Sequence, residues 1–235
     1  MQDTDSLRPE DTPVGRLYYG RHRTTFRIGT YLALVRMMGI AHLVTALYGH
    51  ALLVSQTQAR LARTRHTLRE LICSGFDSPT GRAAVQRLRD VHRPIQAGAP
   101  DYRYVLGTFF LEPLRWNRLH ARRALNGEEQ ALLLDFWMQV GQAMHIEGLP
   151  TTLPQWQQMQ RDYEAEHLRF TPEGHALARL CLRDVVKLTV PPGTRWVFRQ
   201  WMLATLDPAV RDALGLQPPA WHARLPVALM QRATG

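Results

Sequence analysis

The stretch LARTRHTLRELICSGFDSPTGRAAVQRLRDVHRPI, Leu61 to Ile95, decides how this chain is read. Most of it has the apolar spacing of amphipathic helix. Gly75 stops the first run, Asp77 or Ser78 can cap a second, and Pro79 suits a first turn. The spacing predicts a helix over 56–73, a tight turn, and a helix from Pro79 to about His92. Two polar spots stand inside these helices. At about 100° per residue, Thr67 lies roughly 40° past Arg63 and His66 roughly 60° before it, so the three share one face. Leu71 continues that face and turns it partly inward. The second spot is His92, between Val91 and Arg93. An exposed basic helix surface accounts for the first spot, and an imidazolium favoured by a helix C-terminus accounts for the second. The other reading makes them the two sides of a metal cofactor. Imidazole binds haem iron through one ring nitrogen while the other donates a hydrogen bond.

The same grammar runs outward along the chain. Ile28 to Val54 reads as a mostly apolar helix broken near Gly39. Asp101 can cap a helix through Tyr104, Leu106, Phe109 and Phe110, and Pro113 is expected to end or kink it. Asn126-Gly127-Glu128-Glu129, Thr152-Leu153-Pro154 and Thr171-Pro172-Glu173 each open a helix. Pro191-Pro192-Gly193 is a hinge before a Trp-rich helix. Asp207-Pro208 caps a short helix, and a last one follows Pro218-Pro219. Strand-length β-branched alternation and fixed-period repeats are not evident. One all-α, multi-helix domain is the expected architecture.

Composition narrows the function. The chain has 235 residues and 45% hydrophobic content, enough for a real core. Its two cysteines, Cys73 and Cys181, form no disulfide framework or zinc spacing, so a reducing, cytoplasmic setting is expected. The opening MQDTDSLRPEDTP lacks the pattern of a secretory signal. The uncharged run Met37 to Ala59 contains two histidines and a polar tail and reads as a buried helix rather than a membrane span. Net charge is +9, and no Asp or Glu occurs between Asp11 and Glu70, where nine arginines stand. Such a run suits nucleic acid, a membrane surface or haem propionates, or it is a solvated face. Nucleic acid is not expected, because the arginines are scattered among apolar residues. HExxH, Walker and GxGxxG motifs are absent.

The order of several motifs carries a resemblance. Arg63-x-x-x-Thr67 is followed by Gly75, Ser78, Gly81 and Ala84 at three-residue spacing, and then by VHRPI at 91–95. YVLGTFFLEPLRW (104–116), RRALNGEE (122–129), DFWMQVGQAMHIEGLPTTLPQW (135–156) and DYEAEHLRFT (162–171) come next. From about Gly29 to LDPAVRDALGL (206–216) the chain resembles the MpaB-type oxygenases related to latex clearing protein, a rubber oxygenase. The resemblance implies an all-α domain enclosing a pocket for haem b, and oxidative cleavage of a C=C bond in an apolar, isoprenoid-like substrate with O2. It divides the chain into a basic N-terminal segment, 1–27, and an oxygenase-like domain, 28–235. By position, His92 matches the proximal iron ligand and Arg63 and Thr67 the distal Arg and Thr. His66 stands where rubber oxygenases place a lysine near the iron; Tyr104, with Phe109, Phe110 and Trp116 on the next helix, either lines an apolar cofactor pocket or is plain core. Glu128 or Glu129 matches a structural carboxylate. The family's distal glutamate has no counterpart here, which leaves His42, His50 or His66 as replacements for a base. A haem-binding sensor or carrier, and a helical nucleic-acid-binding or scaffold protein, are the alternatives. An apolar substrate and a basic N-terminal half also admit peripheral contact with an anionic bilayer.

Overall fold

The computed structural model describes residues 8–48 and 53–220. After short helical turns at Pro9–Asp11, Pro13–Gly15 and Arg16–Arg21 come ten helices among the described residues. They are α1 Arg23–Met37, α2 Ala41–Tyr48, α3 Leu53–Ser74, α4 Pro79–His92 and α5 Ala99–His120. The second half holds α6 Gly127–Ala143, α7 Leu153–His167, α8 Pro172–Thr189, α9 Arg195–Thr205 and α10 Pro208–Ala213. The only pairing of extended backbone among the described residues is an isolated bridge, Ile40 with Leu168.

Local chemistry explains the helix boundaries. Ser78 Oγ accepts from Gly81 N at 2.9 Å, and Thr171 Oγ1 accepts from Gly174 N at 3.0 Å. Asn126 and Glu129 form a reciprocal capping box at 2.8 and 3.0 Å. Thr152 caps α7 in the same way with Gln155. Gly75, at φ +69°, stops α3 in the left-handed conformation that glycine adopts at least cost. The uncharged run from Met37 is broken at Met38–Ile40, and among the described residues no helix is long and apolar enough to cross a membrane. The helix expected after Pro218-Pro219 lies outside the described residues.

Pro113 does not end its helix, one of the two outcomes expected of it. It sits inside α5, which continues to His120. The physical reason is its neighbour: α1 crosses α5 with Gly29 against Pro113. A Cβ on Gly29 would come within 2.4 Å of Pro113 Cα. This close approach packs the two helices where the proline ring has removed a backbone donor. Asp101, expected as the cap of α5, instead stands at its third position and accepts from Gly98 N at 2.8 Å.

The α1–α5 pair is the spine. On one side α1 packs with α8 and α9 through Leu32, Val35, Leu182, Val185 and Trp201. On the other, α3, α4, α5 and α6 join through Leu71, Leu88, Phe110 and Leu133. The N-terminal turns belong to this second core: Val14, Leu17 and Tyr18 are buried in it, and Trp137 Nε1 donates to Tyr18 Oη at 2.8 Å. A small third core gathers Met37, Ile40, Leu43, Tyr104 and Tyr163.

Candidate active site

α3 and α4 are consecutive helices joined by a four-residue turn, and so run antiparallel. An ion pair between Glu70 on α3 and Arg87 on α4 fixes their register. From that pair, Thr67 and His66 lie about 4.5 and 6 Å back along α3, and His92 lies about 7.5 Å on along α4, at 1.5 Å rise per residue. Both polar spots therefore stand at the same end of one hairpin.

His92 is the last residue of α4. Its face is the inward one: Gly81, Ala84 and Leu88, at helical spacing before it, are all buried. The ring is half-buried, and Nδ1 lies 2.7 Å from the Leu88 carbonyl. A carbonyl only accepts, so Nδ1 must carry the proton, which places the lone pair of the neutral ring on Nε2. That tautomer, with its second nitrogen held by a backbone carbonyl, is the one a metal-ligating histidine adopts. On α5, Tyr102 packs edge-on to the imidazole with centroids 6.1 Å apart, and its hydroxyl donates to the His92 carbonyl at 3.2 Å.

On the facing helix the polar residues divide. Thr67 is buried, with Leu71 wholly buried one turn later. Arg63 and His66 are exposed at the edge of the same face. Beside them is a residue that sequence reasoning passed over. Glu70 is buried, pairs with Arg87, and has Oε1 at 3.6 Å from His66 Nε2. The i, i+4 spacing of His66 and Glu70 was the available signal. In the sequence Glu70 stands out only as the end of the acid-free stretch.

Tyr104 is placed elsewhere. It is wholly buried, stacks on Tyr163 at 4.4 Å, and donates to Glu164 Oε1 at 2.9 Å. The structure does not bring it to His92; Tyr102, two residues earlier and about 200° around the helix, has that position. Tyr104 belongs to a buried ionic hub centred on Arg36, which is 3% exposed. Arg36 Nη1 donates to both oxygens of Glu164 at 2.8 and 2.7 Å, and Nη2 donates to Asp207. Its Nε lies 3.0 Å from Glu112 Oε1, poorly aligned for a hydrogen bond but close enough for an ion pair. Arg115 supplies the second cation, donating to Glu112 from Nη2 at 2.7 Å. Burial alone would raise the Glu112 carboxyl, but Arg36 and Arg115 outweigh it and hold the pKa below the usual range. Burial, reinforced by Glu164, pushes the Tyr104 phenol well up, so it stays a neutral donor.

The remaining histidines sort by partner. His42 Nε2 contacts Asp101 Oδ1 at 2.9 Å and Tyr163 Oη at 3.0 Å, on the α2–α5–α7 side. His50 lies outside the described residues. His22 approaches Glu129 at 3.4 Å, which makes that carboxylate a structural one as well as a cap. Nor is the basic stretch one continuous surface. Arg36 is the buried hub, Arg65 donates to the Tyr31 hydroxyl, and the Arg69 guanidinium sits 5.3 Å over the Tyr19 ring. Among the described residues no group of three or more His, Cys, Asp and Glu side chains is arranged to hold a metal ion. Haem needs a single protein ligand, so this does not bear on His92.

A family model described as ER-bound oxygenase mpaB/B'/Rubber oxygenase, catalytic domain, matches residues 18–235. A comparison with curated proteins finds no match.

Proposed function

Because the chain belongs to the mpaB/rubber oxygenase catalytic-domain family, we propose that it is a haem b-dependent oxygenase cleaving a C=C bond of an apolar, isoprenoid-like substrate with O2. The observation that carries this reading is the tautomer of His92, which Leu88 fixes with its basic lone pair on Nε2. The donor set fits the cofactor: one oriented imidazole at the end of an inward helical stripe, and polar groups on the neighbouring helix at the same end of the hairpin. Bound haem would supply the activation of dioxygen, and the protein supplies binding, orientation and electrostatics.

His92 is the ligand in this reading. Its Nδ1–H bond to the Leu88 carbonyl makes the imidazole a stronger donor through Nε2. The Thr67 hydroxyl and the Arg63 guanidinium are hydrogen-bond donors for negative charge that develops on oxygen during cleavage. His66 is the acid–base group. It lies on the Arg63/Thr67 face, with the Glu70 carboxylate 3.6 Å from its Nε2. Tyr102 orients the end of α4 through the His92 carbonyl.

The test is reconstitution of the purified chain with hemin. The expected result is a Soret band that His92→Ala removes and that His92→Gly regains with added imidazole. Thr67→Val and Arg63→Gln should keep the band and lower isoprenoid cleavage by about 10²-fold, the usual cost of one lost donor at developing charge. A Soret band with no consumption of alkene or O2 makes the protein a haem-binding carrier or sensor. A colourless protein overturns the assignment.

A further inference from the structure

We infer that the groove between α8 and α9 is a docking surface for the anionic face of a lipid bilayer. The groove has a volume of 510 Å³ and is lined by two facing rows of cations. Arg179, Arg183 and Lys187 follow one another at i, i+4 and i+8 along α8, and Arg195 and Arg199 stand at i and i+4 on α9. Among the described residues no carboxylate lines it. Asp184, the adjacent acid on α8, has only 16% of its side chain exposed and meets Arg183 at 3.6 Å. One carboxylate against five cations leaves the groove with a net positive charge, which a bound anion relieves. Arg195 Nε is buried without a hydrogen-bond acceptor among the described residues, and Thr194 places no side-chain cap on α9, so the helix dipole adds to the positive field.

Charge complementarity thus calls for an anion, and the apolar residues at the same place select a membrane. Trp196 is 45% exposed on the groove and Leu188 is 58% exposed on the adjoining turn of α8. An aromatic with a polar edge, an aliphatic side chain and flanking Arg/Lys make up the composition that settles at a headgroup–acyl boundary. Duplex nucleic acid would use the cations and leave Leu188 without a role. The inference is independent of haem, because it uses neither α3 nor α4.

The experiment is co-sedimentation of the full chain with phosphatidylcholine vesicles containing or lacking about one-third phosphatidylserine. Binding is expected only to the anionic vesicles and should fall with salt. Each cation near an anionic surface contributes about fivefold in partitioning, so Lys187→Gln with Arg199→Gln should weaken binding about 25-fold. Arg82→Gln with Arg161→Gln removes equal charge from exposed positions on α4 and α7 and should change binding little. Trp fluorescence should be quenched by brominated acyl chains in wild type and much less in Trp196→Phe. Circular dichroism confirms that each variant is folded. Equal binding to neutral vesicles, groove variants that bind like wild type, an equal loss in the α4/α7 variant, or tighter binding to duplex DNA than to vesicles would each overturn the proposal.

Discussion

Replacing Arg36 by methionine tests the hub that holds α1 against α5, α7 and the Asp207 turn. The change keeps the aliphatic stem and removes the guanidinium. Glu112, 1% exposed, and Glu164, 9% exposed, then lose their shared cation. Asp207 has 47% of its side chain exposed and can return to water, so it adds little. Glu112 keeps Arg115, so most of the loss falls on Glu164, which is left with the Tyr104 hydroxyl and the Gln160 amide. Breaking one partner from a buried pair costs about 3–5 kcal/mol, because the remaining charge stays out of water. For a chain of this size 1 kcal/mol moves Tm by about 2–4 °C, so Tm should drop by roughly 6–20 °C. Urea unfolding at pH 7 is the assay, with the midpoint falling and the slope unchanged. Adding Glu164→Gln to Arg36→Met should recover part of the loss, since the stranded charge is gone. The sign with pH follows from Glu112. Its folded pKa is depressed, so its contribution is present above the ordinary Glu value of about 4.3 and is lost as pH falls through the folded pKa. The gap between wild type and variant should therefore be widest near neutrality and shrink in acid. A variant within about 1 kcal/mol of wild type at pH 7, with no recovery in the double variant, would refute the claim that the hub is a coupled buried network.

Other perturbations have equally definite outcomes. Gly29→Val should destabilise by about 1–3 kcal/mol or more in the same urea assay, because the new side chain meets the Pro113 backbone rather than a flexible side chain. His120, packed against Trp116 and Trp201, has its pKa pushed down to about 4 by burial and by Arg115. The unfolded chain then takes up the extra proton between about pH 6.5 and 4, so stability should fall as pH drops through that window, and a Tm–pH profile of His120→Gln should be flatter there. Tyr102→Phe removes the donor to the His92 carbonyl and should shift the Soret maximum or the hemin affinity, while Tyr104→Phe should lower Tm and leave the Soret band in place. Glu70→Gln removes the carboxylate that ties His66 and Arg87 together across the hairpin, so Tm should fall modestly with the Soret band unchanged.

What the sequence by itself determined is local. Ser78, Asn126, Thr152 and Thr171 are each followed within three residues by the amides they cap, and Gly75 and Pro79 punctuate the hairpin, so the helices and their ends were legible from neighbours along the chain. The inward placement of Thr67 followed from its angle to Leu71, and the family resemblance marked His92 and the helix opposite it. Tertiary structure decided everything that depends on partners far apart in sequence. Pro113 stays inside a helix because Gly29, on another helix, lets it pack closely. Tyr102 rather than Tyr104 meets His92, since the rotation of α5 against its neighbours sets which side faces α4. Arg36, one of nine arginines in an acid-free stretch, finds Glu164 at 128 residues' separation and Asp207 at 171. Within a helix a side chain sees only its third and fourth neighbours. Its buried partners are fixed by how the helices pack, which one helix's own pattern does not contain.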